Sequence, residues 1–167
     1  MSDNSGLRTY LDLAGAGAVL LGLIFVGLEL QQNREMMRAQ IRNDLSVGLN
    51  DVILVTAANE QLADTRRRFG EGEQLTPTEL NQMWSWENAI FRYWENVHYQ
   101  YRNGLYDEVE FLAQREAWRN SMRRSRAHRY HWCDWGNTYS PKFRADMDEL
   151  MPAGGCSDFE NLLRAGQ

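Results

Sequence analysis

The residues best suited to chemistry sit close together. His128, His131 and Cys133, with His98 elsewhere in the chain, offer imidazole and thiol ligands of the kind that zinc favours. A structural zinc site needs four ligands and a catalytic one needs three in an enforced geometry, and His-x-x-His-x-Cys matches no standard zinc spacing. These residues therefore read as parts of an aromatic cap, and neither a metal nor another cofactor is expected. A second set comprises Glu87, Glu95 and His98. Glu95-Asn96-Val97-His98 carries the Glu-x-x-His spacing of di-iron bundles, but only once, so pairing of Glu95 with Arg92 or Arg102 is the simpler reading.

A third set is basic: Arg115, Arg119, Arg123 and Arg126, joined by Arg124 and Arg129, beside Tyr130, Trp132 and Trp135. Such a face can meet phosphate or anionic lipid, and its aromatics can stack on bases. Glu108, Glu110, Glu116 and Asp134 dilute it, which favours ion pairs within the chain. The net charge of −5 also argues against nucleic acid as a partner. No G-x-S-x-G, P-loop, dinucleotide fingerprint or H-E-x-x-H occurs, so no enzyme is supported.

The element that must position these residues begins at the N-terminus. Leu13 to Leu28 carries no charge between Asp12 and Glu29 and reads as a transmembrane helix. At ~1.5 Å per residue it covers about 24 Å of the ~30 Å hydrocarbon core, so Tyr10, Leu11 and Leu30 extend it. A buried core helix seldom stays apolar on every side for so long, and a cleaved signal would need a basic n-region ahead of its apolar core. Arg34, Arg38 and Arg42 follow the span at four-residue spacing and read as headgroup contacts. They outnumber Arg8 on the other side and predict a cytoplasmic body. In that compartment Cys133 and Cys156 are expected as free thiols; an inverted topology would allow them to bridge. Ala14, Ala18 and Gly22 recur every four residues, a small-residue face for helix association in lipid.

The remaining sequence predicts an all-α fold, with the transmembrane helix continuing into a cytoplasmic helical bundle. The apolar stripe Met37, Ile41, Leu45, Leu49 and Val52 carries the first helix to about Thr56. Helical sequence beyond Asn59 ends in the glycines of Gly70-Glu71-Gly72. Thr76-Pro77-Thr78-Glu79 is a capping box opening a helix that stops at Gly104. Asp107 or a neighbour caps a third helix, with Val109, Leu112, Trp118 and Met122 as its inner face, ending near Ser125. A short aromatic segment from Tyr130 to Trp135 follows, and Ser140-Pro141 opens a last helix. Phe159, Leu162 and Leu163 suggest a short docking helix in the tail. The divisions are 1–30 (tail and span), 31–153 (bundle) and 154–167 (tail). Trp84, Trp86, Tyr93 and Tyr99 fall outside the main stripe of the second bundle helix and are candidate interface aromatics.

Leu28-Glu29-Leu30-Gln31-Gln32-Asn33-Arg34, then Arg38-Ala39-Gln40, the aromatic run Phe91 to Tyr101 and Ser140-Pro141-Lys142-Phe143-Arg144 together resemble a family of bacterial single-pass membrane proteins of unknown function. The resemblance covers nearly the full length and implies an inner-membrane anchor with a helical bundle; it carries no catalytic residue. The function expected is association: a self-assembling protein or an accessory subunit of a membrane complex, with lipid, itself or other subunits as partners. The alternative is a membrane-tethered sensor or small-ligand binder, with a pocket among Trp94, His98, Tyr101 and the His128 to Cys133 segment.

Overall fold

A computed structural model describes residues 4–160, so Leu162 and Leu163 of the expected docking helix lie outside the described residues. Six α-helices follow one another: α1 (Asn4–Ala57), α2 (Glu60–Gly70), α3 (Pro77–Arg102), α4 (Glu108–Arg124), α5 (Arg126–Trp135) and α6 (Pro141–Asp148). Short 3-10 turns occupy Gly136–Thr138 and Ser157–Phe159, and no strand occurs among the described residues. The fold is all-α, with a long apolar N-terminal helix leading into a bundle.

The chain divides into two units, Met1–Gln40 and Ile41–Gln167. In the first, the bulky residues of the apolar stretch are exposed, Leu21 and Phe25 among them at 69% and 67%. This helix is long and apolar enough to cross a membrane. Met37 is exposed, so the stripe that enters the bundle starts at Ile41 rather than Met37.

In the second unit α3 is central and packs against α2, α4, α5 and α6. Its start is fixed as expected: Thr76 Oγ1 accepts from the Glu79 backbone N–H, and the Glu79 carboxylate accepts from the Thr76 N–H at 2.9 Å. Its end is Asn103, followed by Gly104 at φ +69°, a left-handed conformation that glycine adopts without strain. Along its length Met83, Ile90, Phe91, Trp94 and Val97 are buried. Trp94 stacks on Trp118 of α4 at 5.5 Å, and Phe91 lies within ring-contact distance of Trp94, His131, Trp132 and Tyr139. From α1, Leu45 joins this core, with Ile41 and Val52 partly buried beside it.

Three local expectations change. Val109 and Leu112 are exposed, at 76% and 54%; the inner face of α4 is Phe111, Trp118 and Met122. Arg115 sits between them in the same register and pairs with Asp146, so counting apolar residues alone misplaced the stripe. The aromatic segment 130–135 belongs to a ten-residue helix, α5, which starts at Arg126. Ser125 ends α4 and also caps α5, its Oγ accepting from the His128 N–H at 3.2 Å. Finally, Cys133 and Cys156 are bonded to one another rather than free. Their bridge holds the chain after Gly154-Gly155 against α5, where Phe159 packs edge-on to Tyr130 at 5.7 Å.

If α3 is the central strut, Trp94→Ala should cost ~3–5 kcal/mol and Thr76→Ala ~1 kcal/mol. Urea unfolding followed by tryptophan fluorescence reads the bundle alone, because all six tryptophans lie between residues 84 and 135. Parent-like unfolding of Trp94→Ala would remove Trp94 from the core.

Candidate functional site

A buried polar cluster forms where α2, α3 and α5 meet. Glu87 is fully buried on α3. Its Oε1 accepts from Arg66 Nε at 3.2 Å, with Arg66 Nη2 at the same distance, and its Oε2 meets Nδ1 of His128. A carboxylate is an acceptor only, so Nδ1 of His128 carries the hydrogen. The Arg66 guanidinium lies 3.9 Å above the Trp86 ring, and the indole N–H of Trp86 donates to the Val52 carbonyl of α1 at 3.0 Å.

A second chain of hydrogen bonds lies beside it. His131 Nε2 is 2.9 Å from the Tyr139 hydroxyl, which donates to Asn88 Oδ1 at 3.2 Å. The order fixes the donors: His131 Nε2–H gives to Tyr139 and Tyr139 gives to Asn88. Burial pushes the His131 imidazolium down to about 4 and raises the Tyr139 phenol, so both stay neutral at pH 7.

The third cluster centres on Asp146. Its Oδ1 accepts from Arg115 Nε at 2.6 Å, and Arg115 Nη2 reaches Glu149 at 2.8 Å. His98 Nε2 stands 3.9 Å from Asp146 Oδ2, its ring between Phe111 and Phe143. Burial lowers the His98 pKa, against the pull of Asp146. Glu95 accepts from the Ser140 N–H at 2.7 Å and from Arg92 at 2.8 Å. Burial works against ionisation of Glu95, and the Ser140 and Arg92 bonds outweigh it, leaving its carboxyl below the usual range. Ser140 starts α6 with no side-chain cap bond; its N–H and its side chain both go to the Glu95 carboxylate of α3.

These partners decide the chemistry of the candidates. Glu87 faces Arg66 and His128, Glu95 faces Ser140 and Arg92, and His98 faces Asp146, so the carboxylates and imidazole do not converge as a di-iron set requires. His128 and His131 bind separate partners and the Cys133 sulfur is spent in the disulfide; among the described residues no group of three potential ligands gathers. The basic face divides likewise: Arg115 goes to Asp146 and Glu149, Arg119 to Glu116, Arg126 to the Phe69 carbonyl, and Arg129 to the carbonyls of Met122 and Arg123. Arg124 joins Arg66, Arg67 and Arg126 in lining a cavity of about 440 Å³ that also reaches His128. The sequence did not show this grouping, because α2 and the α4–α5 junction lie far apart along the chain.

The aromatic candidates are shared between bundle and surface. Trp84 is half-buried against Trp135 at 4.3 Å and His131 at 5.5 Å, Trp86 and Tyr93 are half-buried against the core, and Tyr99 is exposed. On α1, Arg34, Arg38 and Arg42 are exposed, and Arg42 meets Glu110 of α4 at 2.7 Å. Ala14, Ala18 and Gly22 are exposed. Of the positions expected to form a pocket, Tyr101 lies flat on Phe111 at 3.9 Å and Trp94 is covered by Trp118, whereas His128 borders the cavity of the four arginines. Comparison with protein-family models, curated proteins and solved structures finds no match.

The His131 pair makes the bundle acid-sensitive. A folded pKa below the unfolded value of 6.5 means that the unfolded chain takes the proton first. The stabilisation is full above about pH 6.5 and is lost as pH falls toward about 4. The loss is on the order of 3 kcal/mol, and His131→Gln should flatten that part of a stability profile measured by urea unfolding. An unchanged slope between pH 6.5 and 4 in the variant would contradict this assignment.

Proposed function

We propose that the protein is a bacterial inner-membrane anchor whose helical body works by association, as a self-assembling unit or as an accessory subunit of a membrane complex. The observation that carries this reading is α1 itself. Its apolar residues from Leu13 to Leu30 are exposed, and a small-residue face, Ala14, Ala18 and Gly22, stands among them. The polar side chains of the bundle support it too. The hydrogen-bonding groups of Glu87, Glu95 and Tyr139 are engaged by neighbouring residues, as in a scaffold rather than a catalytic centre. The expected direct test is the mass of the particle released by mild detergent: it should exceed the 19.5 kDa of one chain, and Ala18→Leu with Gly22→Leu should lower it while leaving insertion intact. A particle of one chain with no co-purifying polypeptide would contradict the proposal.

Two features bear on the side of the membrane that holds the body, and they oppose each other. Arg34, Arg38 and Arg42 favour the cytoplasm. The Cys133–Cys156 bond, which uses every cysteine in the chain, favours an oxidising compartment. Three arginines against Arg8 is a small bias, so we give the bond more weight and propose the periplasmic side. A reporter fused after Gln167 should then be active only outside the cytoplasm; activity confined to the cytoplasm would restore the orientation that the arginines predict.

The alternative, a tethered binder of a small ligand, draws its support from the His128 end of the expected segment rather than from Trp94 and Tyr101. The cavity lined by Arg66, Arg67, Arg124 and Arg126 is where an anionic ligand would sit.

A further inference from the structure

Between Ile41 and Ala57, α1 turns Ile41, Leu45, Gly48, Leu49, Val52 and Thr56 inward or partly inward, which leaves the other side of the helix to be explained. That side is not an ordinary solvated face. Asn33, Met36, Gln40, Asn43, Val47, Asn50, Leu54 and Ala57 follow each other at alternating spacings of three and four, the seam of a coiled coil, over about three and a half heptads. All eight are exposed, Met36, Val47 and Leu54 at 63%, 50% and 60%. The same stretch contains Arg34, Glu35, Arg38, Arg42, Asp44 and Asp51, and not one of these falls on the seam. A solvated helix face would have taken its share of them.

Resting on the association reading above, we infer that this seam is the contact between two copies of the chain, paired in parallel and in register. The residue types argue for a copy of itself rather than for another protein. An amide is both donor and acceptor, so Asn43 or Asn50 can pair with the identical residue across a two-fold axis, whereas a charged residue there would meet its own sign. Asparagine and glutamine at seam positions set register at some cost in stability, and Met36, Val47 and Leu54 supply the apolar knobs between them. The anchor supplies what the polar seam lacks: two spans in one bilayer hold their helices side by side and pointing the same way, which raises the effective concentration of one for the other.

The charges beside the seam fit only the parallel arrangement. Counted in the same heptads, Asp44 and Asp51 lie across from Ala39 and Ser46 of a parallel partner, small neutral neighbours, whereas an antiparallel partner would bring aspartate toward aspartate.

The test uses the full chain in native membranes. Val47→Cys should form a disulfide-linked dimer on a non-reducing gel, and Arg34→Cys, on another side of the helix, should not; the native cysteines are already bonded to each other. In mild detergent the parent should have the mass of two chains, and Val47→Lys with Leu54→Lys the mass of one, with its helical circular dichroism retained. Linked dimers from both cysteine positions or from neither, or two chains still present in the double-lysine variant, would overturn the seam. A parent holding one copy together with a different polypeptide would overturn self-pairing while leaving the association reading intact.

Discussion

Taking the Glu87 carboxylate out of water costs several kcal/mol unless other groups replace its hydration, and the architecture of the bundle follows from how that is done. Arg66 comes from α2 and His128 from α5, so a single side chain on α3 holds both neighbouring helices at a fixed height. Arg66 in turn lies on Trp86, whose indole N–H reaches the Val52 carbonyl near the end of α1. Four helices are thereby linked through adjacent side chains of one turn of α3. Such a cluster adds less to stability than well-packed apolar residues would, but removing one member strands the rest, typically at 3–5 kcal/mol.

Much of this was legible in the chain, and most of what was not depends on partners distant in sequence. Thr76-Pro77-Thr78-Glu79, Gly104, Asp107 and Ser140-Pro141 announce helix boundaries through local hydrogen-bond chemistry, and the structure uses those boundaries. The inner face of α4 was misread because its register includes Arg115, a charge whose partner Asp146 is thirty-one residues away. Glu87 was visible as a carboxylate on the aromatic helix, but its two partners, Arg66 and His128, arrive from α2 and α5 and were not. The start of α5 was hidden by a serine serving two helices at once. The Arg115 and Glu87 misses concern polar groups satisfied at long range, which periodicity cannot report.

The disulfide belongs with those misses. Twenty-three residues separate Cys133 from Cys156, and neither local pattern nor composition brings them together. Once bonded, they fasten the segment after Gly154-Gly155 to α5, where Phe159 joins Phe69, Met83 and Tyr130 in a second, smaller apolar cluster. The bridge and this cluster close the end of the bundle that α2 and α5 form together.

Beyond its apolar stretch α1 therefore has two kinds of surface: one side enters the core through Leu45 and its neighbours, and the other presents amides and isolated apolar residues with no charge among them. The central claim is that this second side meets its own copy. A spin label at Asn50→Cys, in protein reconstituted into lipid vesicles, tests it directly, since the native cysteines are bonded and take no label. Paired helices with axes 8–10 Å apart should bring the two labels within about 20 Å, giving a strong and narrow dipolar signal. A signal no greater than that of randomly distributed anchors would contradict the account.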